Sequence, residues 1–257
     1  MTREQYEAID AVNFSTLKEF ARSPAHYKAA LQSPRESTDA MDLGSAFHLL
    51  ALEPEREGEL LAVWDEGTRR GKAWDAFKEK HAGKLLLTRD AYETAKAMAA
   101  SVRSSPQAKP YLHGGQAEVT LQWEEQGLKC KGRVDYLTPT HLVDLKGTRC
   151  GAVEAFGKQM YDAKTAAQVA FYRSGIAQMR PKEPFRDAAL IATENVFPYV
   201  TQVYTLTLAQ LEQGSADYTA WLLTLKHCRE TNNWPGYWPT ETELVFPKWA
   251  TQAEEYA

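Results

Sequence analysis

The stretch KGRVDYLTPTHLVDLKGT, residues 131–148, decides the fold. Apolar and polar residues alternate on both sides of Thr138-Pro139-Thr140, which is a turn signal. The pattern predicts two antiparallel strands joined by a tight turn. Charged residues stand in both strands, with Asp135 in the first and Asp144 and Lys146 in the second.

The spacing of these three residues suggests chemistry. Residues two apart in a strand point to the same side, so Asp144 and Lys146 share a face. A hairpin can also bring Asp135 close to Asp144, and two adjacent carboxylates repel each other unless a cation or a proton lies between them. Mg²⁺ prefers oxygen ligands, and a lysine beside it can orient or deprotonate an attacking water. The pattern therefore predicts metal-assisted phosphodiester hydrolysis.

The same spacing is compatible with a surface hairpin in which aspartate and lysine form ordinary salt bridges. Leu142 and Val143 precede Asp144 and indicate a half-buried strand. A charge on such a strand is costly without a partner, which favours a functional site.

Helices are predicted before and after this hairpin. They cover residues 13–31 as a pair with Ser15 as the first N-cap and a break at Ser23-Pro24, and residues 38–54, 72–81, 88–105, 155–179 and 208–233. The rest of residues 55–84 is predicted to be loop. Residues 114–148 form a meander of three strands, and residues 187–207 form two more. The order predicts an α/β (α+β) fold, with a central mixed sheet flanked by helices.

Bulk properties bound the class of protein. The 257 residues are 44% hydrophobic, enough for one domain over residues 1–257, with a mainly helical part (1–110) and a sheet core with a C-terminal strap (111–257). The net charge of −4 argues against general nucleic-acid coating, so any contact with DNA must be local. The three cysteines are scattered, which argues against a disulfide framework or a zinc site. No apolar leader or membrane span is visible in the sequence, and we expect a cytoplasmic protein.

Gly132-Arg133-Val134-Asp135 followed by Asp144-Leu145-Lys146 resembles the signature of the PD-(D/E)xK nucleases. Other segments resemble the RecE-type exonucleases (the C-terminal nuclease domain of exonuclease VIII) and their phage-type relatives. These segments are the opening FSTLKEFARSPAHYKAAL (14–31), the histidine-bearing LGSAFHLLALEPE (43–55), AAQVAFYR (166–173) and WPGYW (234–238). The resemblance is spread over nearly the whole chain.

The resemblance implies a role for each matching residue. Asp135 and Asp144 would bind Mg²⁺, for which Mn²⁺ could substitute, and Lys146 would activate or orient the water. His48 would assist at the metal, although a lone histidine on an apolar helix is more often a core residue. Glu118, early in the preceding strand, is a further metal candidate. Gln168 and Tyr172, four apart on one helical face, would position catalytic groups or the DNA backbone.

Basic residues around these positions predict contacts with DNA phosphates. The predicted contacts are Lys131, Arg133, Arg149, Lys164 and Arg173, together with Arg22, which with Ser15 and Lys18 could hold a 5′-phosphate. Trp234 and Trp238 are expected to be packing anchors rather than residues that stack on bases.

By resemblance, the function is 5′-to-3′ exonuclease digestion of linear double-stranded DNA, leaving 3′ single-stranded tails for recombination. The expected partners are double-stranded DNA ends, a single-strand annealing protein, and further copies of the chain in a ring, a tetramer. Another PD-(D/E)xK nuclease, such as a structure-specific or restriction endonuclease, is the alternative. A relative with an iron–sulfur cluster is disfavoured, because the cluster would need four cysteines and this chain has three. A non-catalytic DNA-binding module of the same fold is the third hypothesis.

Overall fold

The computed structural model describes residues 3–33, 37–182, 187–237 and 241–245. The helices in these ranges are α1 (Arg3–Glu7), α2 (Phe14–Leu17), α3 (Pro24–Gln32), α4 (Asp39–Leu52), α5 (Glu57–Leu60), α6 (Lys72–Lys80), α7 (Arg89–Ser104), α8 (Val153–Asp162), α9 (Thr165–Met179) and α10 (Leu208–Thr231). The strands are β1 (Val12–Asn13), β2 (Leu61–Trp64), β3 (Leu85–Thr88), β4 (Gln116–Glu125), β5 (Leu128–Leu137), β6 (His141–Thr148), β7 (Asp187–Glu194) and β8 (Thr201–Thr205). Short 3₁₀ turns cover Lys18–Ala21, Pro54–Arg56 and Lys109–Leu112.

The main sheet has six strands and is mixed. Its order is β1-β5-β6-β7-β8, and β4 pairs with the other edge of β5. β1 with β5 and β6 with β7 are parallel pairs, whereas the remaining pairs are antiparallel. β2 and β3 form a separate two-stranded parallel sheet.

Helices cover both faces of the main sheet. On one face, α4 and α7 pack against Val143, Leu145 and Ile191 in a buried cluster. On the other face, α9 and α10 pack against Leu142 and Leu190 in a second buried cluster. Alternate residues of β6 therefore enter different cores, as the twofold repeat of a strand requires. The predicted central mixed sheet flanked by helices is confirmed.

Several predicted elements are also present. The meander appears as β4, β5 and β6, and the helices begin at Thr38 and Thr88, whose side chains accept from the backbone N–H groups of Met41 and Ala91. Among the described residues, no helix has the length and apolar character that crossing a membrane requires.

Three predictions about local structure are wrong. The first N-cap is Asn13 rather than Ser15, because the Asn13 side chain accepts from the N–H of Thr16. The helix predicted over residues 155–179 is broken at Lys164, which adopts a left-handed φ of 61°. Residues 55–84, predicted as loop with one short helix, contain the strand β2, and β3 begins directly after them at Leu85. Both strands have only four residues and show no alternation that sequence could reveal.

The C-terminal strap is described only in part. Trp234 stacks on Tyr27 with ring centroids 6.1 Å apart, and the N–H of Ala25 donates to the carbonyl of Pro235 at 3.0 Å. Trp234 is therefore a packing anchor, as expected. Trp238 and most of the predicted strap lie outside the described residues.

Candidate active site

A gap in the main sheet creates the candidate site. One edge of β5 pairs with β1 at Cys130 and Lys131 and with β6 at Tyr136 and Leu137. Between these two pairings β5 and β6 diverge. Asp135 lies one step beyond the last pair, and the same register would place it opposite Asp144. The two aspartates therefore stand where the strands separate and where side chains replace backbone hydrogen bonds.

Asp135 lies between the two strands and α4. Its Oδ2 accepts a hydrogen bond from the backbone N–H of Leu145 at 2.8 Å. Its Oδ1 lies 3.5 Å from Nδ1 of His48, which α4 presents to the sheet. The Leu145 N–H is a backbone group that no pattern of side chains indicates, so the sequence does not predict this partner of Asp135.

Asp144 and Lys146 form a close ion pair on one face of β6. Nζ of Lys146 donates to Oδ1 of Asp144 at 2.8 Å and lies 2.7 Å from Oδ2. Oδ2 is buried, and its contact with the Lys146 ammonium lacks hydrogen-bond geometry. The ion pair therefore satisfies this carboxylate only in part.

Gln168 and Tyr172 extend this contact onto α9. Nζ of Lys146 donates to Oε1 of Gln168 at 3.3 Å, and Nε2 of Gln168 donates to the hydroxyl of Tyr172 at 3.4 Å. The Tyr172 ring is buried over Gly132 of β5, where an added Cβ would lie 2.7 Å from the ring carbons. The glycine of the GRVD motif thus allows α9 to approach the sheet closely enough to hold the lysine.

Glu118 reaches the site through a distortion of β4. The β4–β5 pairing includes Ala117 and Val119 but skips Glu118 opposite Asp135. Glu118 has a left-handed φ of 53°, a strained conformation for a residue with a side chain. Its Oε2 lies 2.9 Å from Nε of Arg133, and its carboxylate lies beside Asp135 and His48. No local sequence signal predicts this backbone conformation.

His48, Glu118 and Asp135 each offer one ligand atom, and all three atoms lie within 4.8 Å of one another. Asp144 is not part of this trio. One imidazole and two carboxylates, whose ligand atoms converge on one point, fit a divalent cation. Carboxylates suit Mg²⁺, and an imidazole also suits Mn²⁺.

Burial and charge shift the pKa values of the site. Burial lowers the pKa of His48, but the charge and the hydrogen bond of Asp135 together outweigh burial and raise that pKa to about 9. Burial favours a raised pKa for Asp135, yet His48 and Lys146 hold it below its usual range. The pKa of Asp144 is raised by burial, despite Lys146, and burial also raises that of Glu118. The positive charges near Asp144 and Glu118 therefore do not offset the cost of burying their ionised carboxylates.

Lys146 is held as a cation. Burial lowers the pKa of its ammonium, but the charges of Asp144 and Asp135 outweigh burial and raise it. An ammonium donates hydrogen bonds and accepts no proton. The geometry therefore favours orientation of a water, rather than its deprotonation, as the role of Lys146.

The structure places the predicted DNA contacts in different environments. Lys131 and Arg173 are buried, and both are corrections to the predicted DNA-contacting surface. Nζ of Lys131 donates to the carbonyls of Tyr6, Glu7 and Ile9, and so fixes the end of α1 and the segment after it to β5. Sequence could not show this burial, because these partners are distant backbone groups.

The other predicted contacts remain at the surface or beside the site. Arg22 and Arg149 are exposed, and Lys164 is half-buried at the start of α9. Arg133 is paired with Glu118 at the candidate metal site. Nothing in the structure assigns a 5′-phosphate to Arg22, which lies 3.6 Å from Glu19.

We expect Gly132→Ala to weaken both fold and site. The new methyl group would force the Tyr172 ring to move, at a cost of about 1–3 kcal/mol in the free energy of unfolding. Gln168 and Lys146 would then lose their support, so cleavage should slow as well. Urea unfolding and a cleavage assay would measure both effects.

Gly147→Ala is the matched control in the neighbouring strand. Its new Cβ would meet only the terminal methyl of Met98, at 3.3 Å, and that flexible side chain can move. Equal destabilisation by the two substitutions would contradict the role assigned to the Gly132–Tyr172 contact.

Comparison with known proteins agrees with this geometry. Residues 13–243 match the family model described as a PDDEXK-like domain of unknown function (DUF3799). Among curated proteins, no match is found. The predicted resemblance to PD-(D/E)xK proteins is confirmed by this match.

Two solved structures are similar in fold. A crystal structure from Eubacterium rectale described as a "Putative exonuclease" superposes with a TM-score of 0.64 and 16% identity, covering 99% of this chain and 98% of its own. The protein SSO0001 matches with a TM-score of 0.27 and 14% identity, covering 87% of this chain and 96% of its own. The first similarity supports the fold, and the second is too low to carry an argument.

Proposed function

We propose, from the premise that this chain belongs to the PDDEXK-like domain family DUF3799, that it is a metal-dependent nuclease that hydrolyses DNA phosphodiesters. The observation that carries the proposal is the convergence of Asp135, Asp144 and Lys146 at the gap in the sheet. His48 and Glu118 complete a set of donors for one divalent cation. Mg²⁺ is the proposed ion, and Mn²⁺ would substitute.

The residues divide the work. Asp135, Glu118 and His48 would hold the ion, and Asp144 would hold Lys146 beside it. A bound divalent ion lowers the pKa of a water ligand and polarises a phosphoryl oxygen. Lys146, fixed by Asp144 and Gln168, would orient the attacking water and offset negative charge on the phosphate. Tyr172 holds Gln168 and acts only through it.

The finer proposal is a 5′-to-3′ exonuclease on linear double-stranded DNA that leaves 3′ single-stranded tails for recombination. It rests on the resemblance of residues 14–31, 43–55 and 166–173 to RecE-type exonucleases. The same resemblance extends the proposal to a ring of identical chains, a tetramer, in the cytoplasm. A single-strand annealing protein would act as its partner.

Digestion of linear duplex labelled at the 5′ or the 3′ end tests this function. With Mg²⁺, and not with EDTA, we expect mononucleotides from the 5′ end only, and no cutting of a covalently closed circle. Asp144→Asn should abolish the release, whereas Asp162→Asn on the exposed surface of α8 should not.

Each other result has a definite meaning. Cutting of the closed circle would identify an endonuclease. Release from the 3′ end would reverse the polarity. Absence of cleavage with both Mg²⁺ and Mn²⁺ would contradict the proposal that the protein is a nuclease and would favour a non-catalytic DNA-binding module of this fold.

A further inference from the structure

A basic surface lies outside the residues assigned to the site. Residues 67–84, named here the basic insert, contain six lysines and arginines but only two acidic residues, whereas the whole chain has a net charge of −4. The insert lies between the short strands β2 and β3 and includes helix α6. Positive charge is therefore concentrated in one segment of an acidic protein.

Aromatic packing holds the basic insert in place. Trp64 of β2 packs edge-on against Trp74 and Phe77 of α6, with ring centroids 5.4 and 5.1 Å apart. The indole N–H of Trp64 donates to the carbonyl of Gly67 at 3.1 Å. The basic side chains thus project from a packed unit rather than from a loose loop.

Four cations of the basic insert have no ion pair within the ranges that the structure describes: Arg70, Lys72, Lys80 and Lys84. The first three are exposed, whereas Lys84 is half-buried and donates to the carbonyl of Gly58 at 2.6 Å. Lys72 and Lys80 are eight residues apart in α6, which is two steps of four. Because residues four apart share a helical face, both lysines lie along one side of the helix.

Nearby acids are largely neutralised. Lys78 pairs with Asp75 at 2.9 Å, and Arg69 and Arg89 pair with Asp39 and Asp65, both at 2.7 Å. Glu66 and Glu79 are the acidic side chains in or beside the insert for which the described residues show no ion pair. A net positive surface therefore remains.

The basic insert is tied to the helix that carries His48. Arg69 pairs with Asp39 at the start of α4 and also donates to the carbonyl of Leu86 in β3. At 1.5 Å per residue, His48 lies about 14 Å further along α4. One turn of duplex DNA spans about 34 Å, so a duplex cleaved at the site could reach the insert.

We propose that the basic insert binds the phosphate backbone of duplex DNA beside the cleavage site, through Arg70, Lys72 and Lys80. The polyanionic partner follows from the unpaired cations and from the ion pair of Arg69 with Asp39, which links the insert to the helix that carries His48. The choice of DNA over an acidic protein rests on the proposed function. Lys131 and Arg173, which sequence assigned to DNA, are buried and leave this role to other cations.

Binding of a fluorescently labelled duplex of about 40 base pairs, measured by anisotropy in EDTA, tests the proposal without catalysis. The triple variant Arg70→Gln, Lys72→Gln, Lys80→Gln should bind about 10–100-fold more weakly than wild type, with the slope of log K against log salt reduced by about 2–3. The control is Lys129→Gln, Lys182→Gln, Lys226→Gln, which removes the same charge from exposed positions elsewhere. It should keep affinity and slope close to wild type.

Folding and catalysis are checked separately. Both triple variants should keep the wild-type circular dichroism and melting temperature, since the substituted side chains are exposed. Mn²⁺-dependent hydrolysis of bis-(p-nitrophenyl) phosphate, which is too small to reach the insert, should be unchanged in the basic-insert variant. Tight duplex binding by wild type without any hydrolysis would contradict the proposed nuclease activity but would still support the proposed DNA-binding surface.

Three results would overturn the proposal: equal loss of affinity in both variants, no loss in either, or failure of wild type to bind duplex at low salt. Binding of polyglutamate in competition with the duplex, with the same dependence on Arg70, Lys72 and Lys80, would reassign the surface to an acidic protein.

Discussion

Lys146→Met should slow phosphodiester hydrolysis at least about a thousandfold, while Mn²⁺ binding is retained. The substitution keeps an unbranched side chain but removes the cation that contacts Asp144 and Gln168. The attacking water then loses its orienting donor. Mn²⁺ should bind at least as tightly as in wild type, because Lys146 is not a ligand and no longer competes for Asp144. Single-turnover cleavage and isothermal titration calorimetry would measure the two effects.

Stability provides a second readout for Lys146→Met. Without metal, Asp144 becomes a buried carboxylate without its nearest cation, so the melting temperature should fall. Saturating Mn²⁺ should restore it, since a bound cation replaces the missing positive charge. Lys129→Met, an exposed substitution in β5, should change neither rate nor melting temperature. Loss of Mn²⁺ binding in Lys146→Met would show that the lysine maintains the site's structure rather than orienting water.

The hairpin was predictable because its information is local. Alternation over residues 131–148 sets the strands, and the two-residue repeat puts Asp144 and Lys146 on one face. The turn at residues 138–140 brings Asp135 to the same place. Four-residue spacing on a helix likewise predicted that Gln168 and Tyr172 would act together.

The remainder depends on distant contacts and on backbone conformation. The left-handed φ of Glu118 is set by its place in the paired strands, not by neighbouring residues. Lys131 looks like a surface lysine in sequence, yet three carbonyls near the N-terminus bury it. β2 and β3 are too short to show a period, and their aromatic partners follow only after a turn. Whether a charged side chain is buried or exposed therefore depends on distant parts of the chain and does not follow from local sequence.

Asp135→Asn should reduce hydrolysis at least about a thousandfold and also weaken Mn²⁺ binding by at least about a hundredfold. Asp135 lies in the trio with His48 and Glu118 and accepts the N–H of Leu145. The amide keeps one oxygen that can still accept this hydrogen bond, so the fold should survive while the negative charge is lost. Loss of both binding and rate would separate this residue from Lys146, for which only the rate should fall.

The imidazole of His48 reports the same change without metal or substrate. Asp135 is the main group that holds its pKa at about 9 against the lowering effect of burial. In Asp135→Asn that pKa should fall below the ordinary 6.5, because burial then acts with little opposition. An NMR titration of the metal-free protein from pH 5 to 10 would follow it, with Asp162→Asn as the control. A His48 pKa that stays near 9 would mean that a group other than Asp135 keeps the imidazole protonated. Asp135 would then not be the central residue of the metal trio.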